Sequence, residues 1–153
     1  MTAASDPDYL FVYGTLRSDI PSSMSKFLGR RARRIGPAAA NGYLVDLGGY
    51  PGFVTGEGTV LGELFTIGPE QAEETWQLLD AYEGVTGRAE EEYRRDTVAV
   101  RVAGRSEDFP AGDTVMAQTY VYQQPAGGRQ VIPDGDYPRF YAGNPTHQKF
   151  TGH

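Results

Sequence analysis

The glycine-rich segment at residues 39–67 constrains the fold of this chain more than any other. It reads AANGYLVDLGGYPGFVTGEGTVLGELFTI and alternates apolar residues with glycines. Turn signals interrupt it at Asn41-Gly42, Gly48-Gly49, Pro51-Gly52 and Glu57-Gly58. Since the chain carries 20 Gly and 10 Pro among 153 residues, it favours turns and sheet over long helices. The segment therefore predicts several short strands, the clearest at residues 59–67.

The N-terminal part predicts a strand followed by a short helix. The apolar, aromatic run at residues 9–13 stops at Gly14, which is typical of a buried strand that ends in a tight turn. The next segment, SDIPSSMSKFLG, offers Ser22 or Ser23 as the N-cap of a short helix. Gly29 is expected to close that helix.

The second half predicts a longer helix and two further strands. Pro69 suits the first turn of a helix through PEQAEETWQLLDAYE, and Gly84 stops it. Apolar residues alternate along YRRDTVAVRV and TVMAQTYVYQ, so both segments are predicted to be strands. The tail is rich in Pro and Gly and predicts loop with one short helix.

This order of elements predicts one α+β domain over residues 1–153, with flexible ends at roughly residues 1–8 and 144–153. The sheet is expected to curl and to close as a small β-barrel with helices outside it.

The composition disfavours several classes of function. The net charge is −6, so a phosphate backbone repels the protein as a whole and nucleic-acid binding is not expected. The chain has no cysteine, and the spacing of His147 and His153 fits no zinc site, so no metal is expected. No apolar run approaches a membrane span and no secretion signal is present, which predicts a soluble cytoplasmic protein without membrane contact.

A run of arginines is the exception to the acidic composition. The segment GRRARRIG places Arg30, Arg31, Arg33 and Arg34 together. A solvated strand edge or loop is the commoner explanation of such a run. The alternative is a patch that binds phosphate or a protein partner.

Five carboxylates crowd the stretch QLLDAYEGVTGRAEEEYRR: Asp80, Glu83, Glu90, Glu91 and Glu92. At roughly 100° per residue, the predicted helix places Glu83 on the apolar stripe of Ala72, Trp76 and Leu79. Asp80 falls beside that stripe and can reach water, while residues 90–92 stand in a polar loop. Glu83 is therefore the carboxylate that the helical pattern predicts to be buried.

Burial gives Glu83 a candidate chemical role. Desolvation and the negative end of the helix dipole both disfavour its ionised form, so both raise its pKa. Such a carboxylate is suited to accept a proton near neutral pH and to pass it on. Two alternatives remain open: the helix ends early and Glu83 turns to solvent, or its carboxylate pairs with an arginine such as Arg94.

The turn in VYGTLR is a candidate binding element. A strand that stops at Gly14 leaves the following amides free to point into a cleft, where they can hold a carboxylate or an oxyanion. A plain turn is the commoner explanation of this pattern. No P-loop, dinucleotide glycine pattern or Gly-x-Ser-x-Gly elbow is present.

An ordered set of motifs carries a family resemblance. YGTLR follows the first strand, GGYPGFVTGEGTVLGELFTI stands in the middle, LLDAYEGV precedes YRR, and YVYQ precedes IPDGDY. Over roughly residues 9–137 the chain closely resembles the γ-glutamylcyclotransferase-like family, particularly its small bacterial members and the γ-glutamylamine cyclotransferases. The resemblance implies a small mixed barrel with flanking helices and a pocket at the YGTL turn.

The resemblance also implies site residues and a reaction. Glu83 would be the catalytic acid/base, and Tyr13, Gly14, Thr15 and Leu16 would bind the γ-glutamyl part of the substrate, largely through backbone groups. In the implied reaction, the α-amine of a small γ-glutamyl substrate attacks its own γ-carbonyl. The products are 5-oxoproline and an amine or amino acid, and no cofactor is needed.

Some features leave alternatives open. The acidic insertion at residues 86–92 is longer than expected for γ-glutamylamine cyclotransferases and can alter the pocket mouth and the leaving-group preference. Tyr93 and Tyr120 are candidates for lining the pocket, although tyrosines at strand positions are more often core. A non-catalytic module that binds a small carboxylate-bearing ligand or a peptide end is the alternative function. The sequence predicts no oligomeric state.

Overall fold

A closed β-barrel forms the centre of the protein in the computed structural model, which describes residues 6–151. The strands are β1 (Asp8–Val12), β2 (Arg33–Asp46), β3 (Pro51–Ile67), β4 (Tyr93–Val102), β5 (Thr114–Tyr122) and β6 (Val131–Ile132). Antiparallel pairs join β1 to β3, β3 to β2, β2 to β4 and β4 to β5, and a parallel pairing of Leu10 with Gln118 closes the ring. β6 adds to β2. The predicted α+β fold, a small mixed barrel with flanking helices, is confirmed.

Alternation along β1 builds two separate cores. Phe11 belongs to the cluster that fills the barrel, whereas Leu10 and Val12 belong to a second cluster that also contains Trp76 and Leu79 of the long helix. The second cluster therefore lies between the outer surface of the barrel and the helices. Because both faces of β1 are covered, its sequence is apolar on both faces.

The middle of the sequence forms two long strands where several short ones were predicted. β2 has 14 residues and β3 has 17, and their pairing runs along nearly the whole length of both. The register shifts after Asn41, and residues 56–58 of β3 have no partner on β2. Asn41-Gly42 and Glu57-Gly58 are therefore parts of a bulge, and Pro51-Gly52 opens β3. The chain reverses at residues 47–50, where the amide of Leu47 donates to the carbonyl of Tyr50 at 2.9 Å.

Gly42 shows why the sequence misled on this point. Its φ is 148°, and a Cβ built there would lie 2.3 Å from the carbonyl oxygen of Val54. Turns and bulges both use glycine at positive φ, so the presence of a glycine in the sequence does not distinguish a turn from a bulge.

The first helix, α1 (Ser23–Arg31), begins where it was predicted to begin and ends later. Ser22 is the N-cap, and its side chain accepts from the amide of Ser25 at 3.0 Å. Gly29 was expected to close the helix, but the helix continues to Arg31. A Cβ at Gly29 would meet nothing within 4 Å, and its φ is not in the left-handed region, so glycine has no capping role there.

The second helix, α2 (Pro69–Glu83), has the bounds that the sequence predicted. Pro69 occupies its first turn, and Gly84 caps its C-terminus with a left-handed φ of 73°. Among the described residues, no helix is both long enough and apolar enough to cross a membrane.

The tail has more structure than the predicted loop with one short helix. A 3-10 turn (Pro133–Gly135) precedes α3 (Tyr137–Ala142) and α4 (Pro145–Thr151). Of the ends predicted to be flexible, residues 1–5 and 152–153 lie outside the described residues. Asp8 is the first residue of β1, and residues 145–151 form α4; the flexibility of both ends stays a prediction. The side chain of His147 in α4 is fully buried.

Candidate active site

A cavity of about 220 Å³ opens at one end of the barrel, where the turn after β1 meets the C-terminal end of α2. All of the residues predicted from the sequence for the site line this cavity: Tyr13, Gly14, Thr15, Leu16, Glu83, Tyr93 and Tyr120. The structure therefore brings together segments that are far apart in the sequence. The roles of these residues in catalysis and binding remain predictions.

The packing of α2 delivers Glu83 to the cavity. Trp76 and Leu79 are buried against the barrel, and Glu83 follows one turn later on the same face as the last residue of the helix. Of the two alternatives, the early end of the helix does not occur. Arg94 pairs with Asp96 at 3.2 Å, and within residues 6–151 no hydrogen bond or ion pair to the carboxylate of Glu83 is present.

Burial, together with the smaller effects of the Glu92 and Asp80 carboxylates, raises the pKa of Glu83 to about 8. Glu83 keeps some accessible surface because one side of it faces the cavity. Protein surrounds its other sides, so desolvation is still the largest cause of the raised pKa. The carboxylate is therefore largely protonated at neutral pH and releases its proton within the range in which a catalytic acid/base must work.

The free energy of unfolding of wild type is expected to fall at high pH, and Glu83→Gln is expected to abolish this fall. The folded protein holds a proton on Glu83 up to about pH 8, whereas the unfolded chain releases it near the ordinary pKa of 4.5. Stability therefore falls as the pH rises between these values, and the variant lacks this loss. Urea unfolding at about pH 5 and about pH 8.5 should show the variant gaining roughly 2–4 kcal/mol over wild type across that range.

Glu73→Gln, the same change at an exposed position of α2, is the control for this measurement. It should follow wild type at both pH values. A difference between Glu83→Gln and wild type that does not change with pH would contradict the raised pKa.

The turn after β1 lines the cavity with residues 13–16. The amide of Arg17 donates to the carbonyl of Gly14 at 3.0 Å and closes the turn. No acceptor for the amides of Gly14, Thr15 or Leu16 is present in the part of the chain that the structure describes. A Cβ on Gly14 would lie 2.5 Å from Cγ of Pro51, so glycine lets the turn pack closely against the start of β3. These three amides are available to a carboxylate or a carbonyl oxygen.

Tyr93 and Tyr120 are both core residues and wall residues of the cavity. Each is less than 5% exposed, and burial raises the pKa of both hydroxyls well above the usual range. Tyr93 donates to the carbonyl of Pro51 at 2.7 Å, and Tyr120 donates to Oδ1 of Asp80 at 2.8 Å. Asp80 also forms an ion pair with Arg95 at 3.4 Å. It therefore supports Tyr120 in the cavity wall and is not a free acid on the surface.

Glu92 was assigned to the polar loop, but it lines the cavity. Its carboxylate accepts a hydrogen bond from the hydroxyl of Tyr50 at 2.6 Å. The acidic insertion therefore reaches the mouth of the site, and the charge of its last residue contributes to the raised pKa of Glu83 after desolvation. No sequence pattern indicated this contact, because Tyr50 lies 42 residues away in the chain.

Sequence reasoning also missed Glu63, a carboxylate that supports the turn from outside the cavity. Glu63 is 1% exposed and accepts from the amide of Ser18 at 2.7 Å and from its hydroxyl at 2.6 Å. Arg34 donates to the same carboxylate at 2.8 Å. The period of two along β3 places Glu63 on the same face as Phe65 and Ile67, and this was the signal for its burial.

The arginine run is mostly paired within the chain. Arg31 bonds to Glu74, Arg33 binds Asp108 at 2.8 Å, and Arg34 binds Glu63 at 2.8 Å. These partners compensate three of the four charges. Binding of a partner by the run remains a prediction, and these ion pairs reduce the positive charge that the run could offer to a partner.

The fold places the protein in a class of small mixed β-barrels with flanking helices. Its cavity is lined by the carboxylate of Glu83 and by the turn after β1. Residues 10–139 match a family model described as "Gamma-glutamyl cyclotransferase, AIG2-like". The chain therefore belongs to the gamma-glutamyl cyclotransferase, AIG2-like family.

Individual relatives agree with this assignment. The chain is 34% identical over 129 residues to "Gamma-glutamylcyclotransferase family protein YtfP" of Escherichia coli K12, covering 84% of this chain and 94% of that protein. The solution structure of E. coli ytfP superposes with a TM-score of 0.54 at 31% identity, covering 84% of this chain and 95% of that one. The crystal structure of an AIG2-like protein from Mus musculus has a TM-score of 0.66 at 22% identity, covering 86% and 88%, and supports the fold alone.

Proposed function

We propose that the protein cyclises a γ-glutamyl substrate to 5-oxoproline and releases an amine or amino acid, with Glu83 as general acid and base. One arrangement carries the proposal: the carboxylate of Glu83, which has a pKa of about 8 and no partner within residues 6–151, lines the same cavity as three turn residues whose amides have no acceptor within that range. Membership in the gamma-glutamyl cyclotransferase, AIG2-like family supports the same reaction class.

Glu83 carries two protons, one after the other, from the attacking nitrogen to the leaving nitrogen in the proposed reaction. Ionised Glu83 takes the first proton from the α-ammonium of the substrate, because an ammonium has no lone pair with which to attack. The freed amine attacks the γ-carbonyl carbon, a carbon–nitrogen bond forms, and the ring closes. Glu83 gives the first proton to the leaving nitrogen as its bond to carbon breaks, then takes the second from the ring nitrogen, which becomes the lactam N–H, and passes it to the released amine. The products are 5-oxoproline and a protonated amine, so atoms and charge balance.

The turn amides hold the substrate in the reactive shape. The amides of Gly14, Thr15 and Leu16 can bind the α-carboxylate of the γ-glutamyl group or the γ-carbonyl oxygen as it becomes negative. Either contact keeps the chain of the substrate folded, with its amine close to its own carbonyl. Holding two groups of one molecule in this arrangement supplies much of the rate of a cyclisation.

Assay of the wild-type protein with a panel of γ-glutamyl amines and γ-glutamyl dipeptides tests the proposal directly. Release of 5-oxoproline, quantified by mass spectrometry, is the expected result. The alternative, a binding module, predicts thermal stabilisation by the same compounds without product. Absence of product across the panel, with the protein folded, would overturn the proposed function.

The proposed function predicts the acid side of the pH profile. The base form of Glu83 is required in the free enzyme, and its pKa is about 8. Below that value kcat/KM should therefore rise about tenfold for each pH unit, and it should level near pH 8. Initial rates at low substrate concentration from about pH 5.5 to about pH 9 check this result. A profile that is flat between about pH 6 and about pH 8 would contradict it.

A further inference from the structure

The last helix, α4, supplies part of the cavity wall. The aromatic ring of Phe150 lines the same cavity as Glu83, although α4 lies outside the residues 10–139 that match the family model. Phe150 is 50% exposed, so half of its side chain remains available for contact with a bound molecule. The C-terminal segment thus contributes to the candidate site directly.

A buried histidine anchors α4 to the barrel. His147 is fully buried; its Nδ1 lies 2.8 Å from the hydroxyl of Tyr137, and its Nε2 lies 2.7 Å from Oδ1 of Asp46. Asp46 is the last residue of β2, and Tyr137 is the first residue of α3. The ring of Phe140 packs edge-on against the imidazole at 5.1 Å. These contacts fix α4 between a barrel strand and α3, one turn before Phe150.

Three segments meet at Tyr50 to form the aromatic part of the wall. Phe150 packs on Tyr50 with ring centroids 5.1 Å apart, and Tyr93 packs on it at 6.5 Å. The hydroxyl of Tyr50 donates to Glu92 of the acidic insertion. A Cβ at Gly49 would lie 2.7 Å from Cδ2 of Phe150, so glycine at that position permits the close contact.

The chemistry of the wall indicates what it can bind. Besides the turn residues and Glu83, the lining includes the aromatic side chains of Tyr50, Tyr82 and Phe150, which are available to contact the rest of the substrate. Among the described residues that line the cavity, two are carboxylates and none is Lys or Arg. Aromatic faces favour apolar and aromatic groups, and the carboxylate of Glu92 repels a second carboxylate on the substrate.

We infer that Phe150 determines specificity for the leaving group, and that the aromatic wall selects an amine that carries an apolar or aromatic substituent. The inference rests on the proposed cyclotransferase function. His147 acts as a positioning residue, because it holds the helix that carries Phe150.

The test compares two substrates that differ in the leaving group alone: γ-glutamyl benzylamide and γ-glutamyl methylamide. The ratio of their kcat/KM values should exceed one in wild type and fall about tenfold in Phe150→Ala, since one apolar contact in a pocket is worth about 10- to 200-fold in discrimination. His147→Ala should lower the same ratio, because it releases α4. Leu78→Ala, at a 43% exposed position of α2 outside the cavity lining, is the matched control and should keep the wild-type ratio.

The outcomes separate this inference from the function on which it rests. If wild type releases no 5-oxoproline from these two substrates but does so from others in the γ-glutamyl panel, the inference fails and the proposed function stands. If wild type is inactive across the whole panel, both fail. If wild type is active and Phe150→Ala keeps a ratio within twofold of wild type, the specificity role of Phe150 is wrong and the proposed function stands. A loss of folding in His147→Ala, seen by circular dichroism, leaves Phe150→Ala as the deciding variant.

Discussion

Glu83→Gln is expected to lower kcat/KM for release of 5-oxoproline by about 10³-fold, within the range of about 10² to 10⁴ that a positioned acid/base contributes. Gln keeps the size of the side chain but neither accepts nor returns the proton. The substrate ammonium then stays protonated at the moment of attack. Steady-state assay of purified protein, with far-ultraviolet circular dichroism to confirm the fold, measures the loss.

Two comparisons make the result specific to Glu83. Glu73→Gln carries the same chemical change at an exposed position of the same helix and should retain wild-type activity. Thermal stabilisation by a substrate should persist in Glu83→Gln, because the turn amides remain. Turnover of the variant within threefold of wild type would remove Glu83 from the mechanism.

Glu63→Ala is expected to lower the free energy of unfolding by about 2–4 kcal/mol, because it removes a buried carboxylate that accepts three charge-assisted hydrogen bonds. Glu63 accepts both the amide and the hydroxyl of Ser18, and it pairs with Arg34 at 2.8 Å. Arg34 is 44% exposed and Ser18 is also exposed, so the freed donors can return to water and the expected loss is that of the three hydrogen bonds. Urea unfolding at neutral pH measures the change.

Hydrogen exchange at Ser18 localises the effect of this substitution. The amide of Ser18 should lose protection in Glu63→Ala, since its acceptor is gone. Glu57→Ala, an exposed position in the same strand, is the control and should change stability by less than about 0.5 kcal/mol. Retained protection at Ser18 would mean that Glu63 does not hold the end of the turn.

The placement of Glu83 followed from local rules. Helical periodicity relates Trp76, Leu79 and Glu83 within two turns, and Gly84 ends the helix immediately after them. These relations depend on backbone geometry over a few residues. A sequence contains all the information that such a prediction needs, and the same holds for the strand that ends before Gly14.

The lengths of β2 and β3 did not follow from local rules. Gly42 in a bulge and a glycine in a tight turn both have a positive φ, so the sequence predicted turns where the two strands run on. The choice between them depends on the partner strand. In this protein the long pairing of β2 with β3 completes the barrel and excludes the alternative of several short strands.

The sequence by itself determined the barrel class, the bounds of α2 and the identity of the carboxylate at its end. The tertiary structure alone decided which other groups meet that carboxylate. Glu63 meets Ser18 across 45 residues, Glu92 meets Tyr50 across 42, and His147 meets Asp46 across 101. Local propensity acts over one or two turns of chain, whereas these contacts exist because closure of the barrel and docking of α4 bring distant segments together.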